Sequence, residues 1–170
     1  VDAIVHVIRC FSDDDVVHVS GSVDPSRDIE IINLELALSD LNQIEKRRTR
    51  LKKQVSTNKE AKLEDEVLEK LSKALENENA VRSVSLTDEE KILIKPLGLL
   101  TEKPIIYATN LGEDELANGN SFSDEVNTLA TKEGSECVKI SAQVEAELIE
   151  LGEEERDDYL NGLGVKEGGL

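Results

Sequence analysis

The sequence predicts an α/β protein: a parallel sheet with a long antiparallel helical hairpin inserted into it. Three observations carry that reading. Residues 105–109 are an uninterrupted apolar run between Pro104 and Gly112, which suits a central parallel strand covered on both faces. Residues 3–8 and 137–140 are two further short apolar runs, the second reached through a helical pattern. Between the first and second runs, residues 26–78 show apolar seams at helical spacing in place of period-two alternation. A chain of 170 residues has room for one domain with such an insertion.

Taken in order, residues 3–8 read as a first strand, apolar on both faces apart from His6, which reads as a core histidine with its hydrogen bonds satisfied. An acidic turn and a short loop carrying His18 follow. Asp24-Pro25 is a helix entry, with Pro25 in the first turn, where its missing N–H costs nothing, and Asp24 available as a cap. Ile29, Ile32, Leu36, Leu41, Ile44, Leu51 and Val55 form one seam, and Ile31, Leu34 and Leu38 a second stripe in the first half only. The first half is therefore expected to be packed and the second half more exposed. After a polar break at residues 56–59, Leu63, Val67, Leu71 and Leu75 form another narrow seam, which completes an antiparallel hairpin ending near residue 78.

Thr87 with Glu90 three residues later is a capping box and predicts a short helix to about Leu97. The chain then returns to the sheet at Pro104. A helix from Ser123 is expected to bury Val126, Leu129 and Ala130 and to stop at Gly134. The third strand and two further helical segments complete the pattern. The expected divisions are a sheet domain of residues 1–25 and 98–165, an inserted helical domain of residues 26–97, and the start of a linker at residues 166–170, in a glycine-rich end.

Three strand ends, at Phe11, Asn110 and Ser141, converge on one edge of such a sheet, the edge where open α/β sheets bind ligands. Asn110-Leu111-Gly112-Glu113 occupies the middle end. Guanine-reading switch proteins use Asn-Lys-x-Asp at such a place, the Asp accepting from guanine's ring N–H and exocyclic amine. Here Leu111 stands for the Lys and Glu113 for the Asp. Adenine offers no adjacent pair of donors to a carboxylate, whereas an Asn amide satisfies its amino group and ring nitrogen together. If this loop reads a base, it favours adenine; taken alone, the four residues are a weak signal and read better as a solvated turn.

The formal net charge is −17, with charged residues at 34% and aromatics at 2%. Such a body repels nucleic acid and anionic membranes, and DNA is not expected as a partner. No apolar run of about 20 residues is present, so no membrane span is expected. One basic cluster stands against this background. Lys46, Arg47, Arg48, Arg50, Lys52 and Lys53 put six of the 20 basic residues within eight positions. Two readings are open: a solvated helix face, or an electrostatic contact to RNA. Cys10 and Cys137 read as free thiols in a reducing compartment. The chain contains no Met and begins at Val1, and is expected to be an internal piece of a longer protein.

The stretch Arg9-Cys-Phe-Ser-Asp-Asp-Asp-Val-Val-His-Val-Ser-Gly-Ser-Val-Asp-Pro-Ser-Arg-Asp-Ile-Glu-Ile-Ile-Asn33 closely resembles the YchF family, also called Obg-like ATPases. So does Ala142-Gln-Val-Glu-Ala-Glu-Leu-Ile-Glu-Leu151 with the Glu153-Glu-Glu-Arg156 that follows it. The likeness runs the length of the chain and is nearest to the bacterial or organellar branch. It implies the C-terminal half of a P-loop NTPase (an Obg-like G domain), the hairpin being a coiled-coil arm inserted in it and a TGS domain following. It further implies a ribosome-associated enzyme that hydrolyses ATP in preference to GTP with Mg2+, in the cytoplasm or an organellar stroma or matrix. By the same resemblance Asn110, Leu111 and Glu113 match the base-specificity motif, Ser141 and Ala142 the next base-contacting loop, and Phe11 an aromatic beside the base. His18 matches a loop histidine proposed to help hydrolysis.

The chain departs from the family pattern in one respect. No Gly-x-x-x-x-Gly-Lys-Ser/Thr occurs, and no Asp-x-x-Gly follows a strand, so the phosphate cradle and the Mg2+ ligands are expected before Val1. By itself this segment is expected to be inactive. The alternative to an ATPase segment is a non-catalytic module that binds the ribosome or its RNA through the basic part of the arm.

Overall fold

A computed structural model describes residues 1–12 and 23–165 of the chain. The chain divides into two compact units, one of residues 1–4 and 30–104 and the other of residues 5–29 and 105–170.

The second unit holds most of a three-stranded sheet in the order β1-β2-β3, where β1 is Ile4–Arg9, β2 is Ile105–Asn110 and β3 is Glu136–Ile140. β2 and β3 are parallel, with Ile106 opposite Glu136 and Asn110 opposite Ile140. β1 runs the same way as β2. Ile4 N–H donates to Pro104 O at one end (2.9 Å) and Cys10 N–H to Asn110 O at the other (2.8 Å), a constant offset along both strands. β2 is buried along most of its length, as its continuous apolar run predicts. β1 is not. His6 and Ile8 are buried, but Val5 and Val7 are 60% and 57% exposed, because no described element covers that face of the edge strand.

Helix α4, Ser121–Glu133, packs on β2 and β3. It begins two residues before the expected Ser123, because the Asn120 side chain caps it by accepting from Ser123 N–H (3.0 Å). It ends at Gly134 in the left-handed conformation (φ 69°), as that glycine predicts. Val126 and Ala130 are buried, and Leu129 only partly so. Helices α5, Ala142–Glu150, and α6, Glu153–Gly162, bring Val144, Leu148 and Leu160 together with Leu116 in a small apolar cluster.

His6 is a core residue, with its ring centroid 5.8 Å from that of Tyr107, but its Nδ1 has no hydrogen-bond partner among the described residues. The satisfied histidine expected from the sequence is thus corrected. Burial lowers its pKa below the usual histidine value, with Asp28 acting weakly the other way. A histidine kept neutral in the fold binds its proton more readily in the unfolded chain, so stability falls as pH drops through the ordinary value of about 6.5.

The helical unit contains α2, Lys59–Glu76, α3, Asp88–Ile94, and the greater part of α1, Pro25–Leu51. α1 and α2 form a hairpin in which late α1 meets early α2. Ile44 and Leu51 join Ala61, Val67, Leu68, Leu71 and Leu75 in one buried seam. Asn58 starts α2, its side chain accepting from the N–H groups of Glu60 (2.8 Å) and Ala61 (3.3 Å). Thr87 and Glu90 form the expected capping box at α3. One expectation is reversed. Ile31, Leu34 and Leu38, read as packed, are about half exposed, whereas the buried seam lies further along α1. Periodicity finds apolar faces on a helix but not which of them meets a partner.

A buried carboxylate ties α1 to the strand-return segment of the same unit. Asp40 is 1% exposed and accepts from Leu100 N–H (2.8 Å), Thr101 N–H (2.8 Å) and Thr101 Oγ1–H (2.7 Å). Thr101 in turn holds Val81 and Arg82, whose N–H groups donate to its Oγ1 (3.3 Å) and its carbonyl (3.1 Å).

Two predictions follow from these buried polar groups. Asp40→Ala strands buried N–H donors at Leu100 and Thr101 and should lower unfolding stability by about 3 kcal/mol, measured by urea denaturation; a loss under about 1 kcal/mol contradicts the tie. The His6 effect should appear as a stability decline of up to about 1.4 kcal/mol per pH unit below about pH 6.5, abolished in His6→Gln, which has no group titrating there. An unchanged slope in that variant excludes His6 as its source.

Candidate functional site

The loops after the three strands are laced together by side-chain and backbone hydrogen bonds. Asn110 ends β2, and its Oδ1 accepts from Ala142 N–H at the head of α5 (2.9 Å). Leu111 N–H donates to Ile140 O, the last residue of β3 (2.9 Å). On the other side, Cys10 N–H donates to Asn110 O (2.8 Å) and Cys10 O accepts from Asn120 Nδ2 (2.6 Å). The ends at Phe11, Asn110 and Ser141 named from the sequence are thus joined through Cys10, Asn110 and Ala142. Burial pushes the Cys10 thiol up to about 12, which keeps it protonated and unreactive. Both cysteines are free.

Phe11 is half-buried. The Arg9 guanidinium lies 4.7 Å from its ring centroid, and Arg9 Nε donates to Phe11 O (3.1 Å). Leu111, at the position of the basic residue in guanine-reading loops, is 2% exposed. A lysine there would bury its charge, so the identity of this residue follows from packing as well as from any ligand. Ser141 is the N-cap residue of α5 but makes no capping hydrogen bond, and its buried Oγ has no partner among the described residues. Glu113 opens a short 3-10 turn, Glu113–Glu115, and its Oε1 accepts from the Tyr159 hydroxyl (3.0 Å). His18 lies outside the described residues.

Asn110 departs from the sequence reading in one respect. The Oδ1 assigned to a base amino group is engaged with Ala142 N–H, and the group left without a partner among the described residues is Nδ2. With the Phe11 ring, this leaves one uncommitted amide donor and an aromatic ring on loops held by backbone hydrogen bonds, the orphan Ser141 hydroxyl being buried at the head of α5. That set fits a flat heteroaromatic ring with acceptor nitrogens, as a purine has. Among the described residues no three His, Cys, Asp or Glu side chains gather in a way that would hold a metal ion, and no helix is long and apolar enough to cross a membrane.

The basic cluster divides in two. Arg47 forms a two-pronged ion pair with Glu64 (2.6 and 2.8 Å), whose side chain is 7% exposed. Arg48 does the same with Asp65 (2.8 and 3.3 Å) and also reaches Glu69 (3.2 Å). These two arginines are struts between α1 and α2. Lys46, Arg50, Lys52 and Lys53 are exposed and form no ion pair among the described residues. Tyr159 and Asn120 were missed from the sequence. Asn120 carried a signal, since Asn followed three residues later by Ser is a capping pattern; Tyr159 carried only its rarity, as one of two tyrosines.

No family model matches the chain. It is 47% identical over 173 residues to the ribosome-binding ATPase YchF of Bacillus subtilis, covering 100% of this chain and 47% of that protein. It is 48% identical to the ribosome-binding ATPase YchF of Haemophilus ducreyi and 46% to that of Escherichia coli O157:H7, in each case over 99% of this chain and 47% of the relative. The structure of the Schizosaccharomyces pombe YchF GTPase superposes with a TM-score of 0.83 at 33% identity, over 98% of this chain and 47% of that one. The chain thus spans about half the length of the relatives it matches. Along its whole length this chain is homologous in sequence, and alike in fold, to about half of these YchF proteins.

Proposed function

We propose that this chain supplies the base-recognition loops and the helical arm of a ribosome-associated P-loop NTPase that prefers ATP to GTP and uses Mg2+. The observation that carries the proposal is the lacing of the strand-end loops by Asn110, which leaves its Nδ2 without a partner among the described residues, on the same sheet edge as the half-buried Phe11 ring. The names of the relatives, ribosome-binding ATPases, support it. In this reading Asn110 braces the loop and donates to the base, Phe11 lies along it, and Leu111, Ser141 and Ala142 shape its edge. The helical unit is an inserted arm, and the protein works beside ribosomes in the cytoplasm or an organellar matrix. Phosphate and Mg2+ contacts come from a segment outside this sequence, which has no P-loop motif. Bound Mg2+ supplies charge neutralisation of the phosphates. His18 is assigned the positioning of the attacking water. His18→Ala in the full-length protein should lower turnover by about 10²–10⁴, and full turnover in the variant removes that role.

Two binding measurements on the full-length protein test the proposal. Asn110→Ala removes both the brace and the free amide and should weaken ATP binding by about 10–100-fold in an equilibrium titration. ATP affinity equal to the parent's would place the base elsewhere. For the ribosome, Arg50, Lys52 and Lys53 are the residues to reverse, since reversing Arg47 or Arg48 would set carboxylates against Glu64, Asp65 and Glu69 and open the hairpin. The triple change to Glu should weaken co-sedimentation with ribosomes and flatten its salt dependence. Pelleting like the parent across a salt series would leave the cluster a solvated helix face.

A further inference from the structure

The Tyr159 hydroxyl is placed between two carboxylates. It lies 3.0 Å from Oε1 of Glu113 and makes a short hydrogen bond to Glu147 of α5. Its position is set by packing. Next to it on α6, Leu160 is buried against Leu116, Val144 and Leu148. On the same helix, Arg156 Nε donates to Leu148 O (2.6 Å) and Leu151 O (3.0 Å). Hydrogen bonding to Glu147, with Glu113 adding to it, pushes the phenol pKa well above its usual value. The group is therefore a proton donor throughout the neutral range, and a phenol carries one proton to give.

This arrangement bears on base choice, given the nucleotide reading proposed above, on which it rests. With Oδ1 held by Ala142 N–H, Asn110 offers a base its Nδ2 donor. The ring nitrogen that such a donor meets, N7, is an acceptor in adenine and guanine alike. Asn110 in this conformation does not separate the two purines. Glu113 does have the chemistry to separate them, in the wrong direction for an ATP-preferring protein. A free carboxylate accepts from guanine's adjacent ring N–H and exocyclic amine, a pair that adenine lacks.

We propose that Tyr159 is a specificity-determining residue: its hydroxyl, whose one proton is shared between Glu147 and Glu113, holds the Glu113 carboxylate away from the base, and so withholds from guanine the acceptor it would need. Preference for adenine then comes from suppressing guanine recognition as well as from any contact made to adenine. Tyr159 acts through Glu113 and is a positioning residue.

The test is equilibrium binding of ATP and GTP to the full-length protein. Tyr159→Phe keeps the ring and removes the hydroxyl, and should raise GTP affinity relative to ATP about tenfold, the discrimination of one good two-pronged contact at its lower end. Adding Glu113→Gln to that variant should abolish the gain, because an amide cannot accept from both guanine donors. A purely structural role for Tyr159 would weaken both nucleotides together and leave their ratio unchanged. An unchanged ratio in Tyr159→Phe, with the parent binding ATP more tightly than GTP, overturns this inference and leaves the nucleotide reading standing. A gain that survives in the double variant overturns the route through Glu113. A parent that binds neither purine nucleotide overturns the reading beneath both.

Discussion

Asn110 accepting a hydrogen bond from Ala142 N–H is a single 2.9 Å contact, but the geometry of the strand-end loops depends on it. The backbone of β2 already meets Cys10 on one side and, through Leu111, Ile140 on the other. These bonds fix where the three strands stop. The Asn110 side chain fixes how the next loop begins, because Ala142 is the first residue of α5 and its N–H is one of the orphan donors of a helix start. An amide suits this place because it carries an acceptor and a donor on one planar group. The acceptor is spent on the fold, and the donor has no partner among the described residues.

The helical unit is held by a different kind of contact. Its apolar seam is narrow, and charged groups set its register. Arg47 and Arg48 on α1 face Glu64, Asp65 and Glu69 on α2, and Glu64 is almost fully covered. Two-pronged guanidinium–carboxylate pairs demand a fixed separation and angle between helices, which a seam of aliphatic side chains does not. Asp40 extends the same logic, as a buried carboxylate whose three donors all lie in residues 100–101. A chain of net charge −17 thus places part of its scarce positive charge against its own carboxylates. The exposed remainder, Lys46, Arg50, Lys52 and Lys53, is the part available to a partner.

Much of this was legible in the sequence, and the residues that were not share a reason. The apolar run of β2, the Thr87–Glu90 capping box and the stop at Gly134 are local features, and each formed as local chemistry dictates. Asp40, Tyr159 and the Arg47–Glu64 pair are partnerships between residues far apart in sequence, so no window of neighbouring residues contains the signal. The exposed stripe of Ile31, Leu34 and Leu38 fails for the same reason, since spacing shows a face exists and only tertiary structure shows what covers it. At the strand ends, the sequence named Phe11, Asn110, Glu113, Ser141 and Ala142. What it did not show is how their hydrogen-bonding capacity is divided, with Oδ1 of Asn110 given to Ala142 and Glu113 given to Tyr159. That division bears directly on which base the loops would accept.

The central claim is that these laced loops hold a purine, with Asn110 serving fold and ligand at once. A crystal structure of the full-length protein with a non-hydrolysable ATP analogue tests it most directly. The account predicts the adenine between the loops at Phe11, Asn110 and Ser141, with Asn110 Nδ2 within hydrogen-bond distance of a ring nitrogen and Oδ1 still on Ala142 N–H. An adenine bound elsewhere, or an Asn110 side chain turned away from Ala142 to meet it, would contradict it.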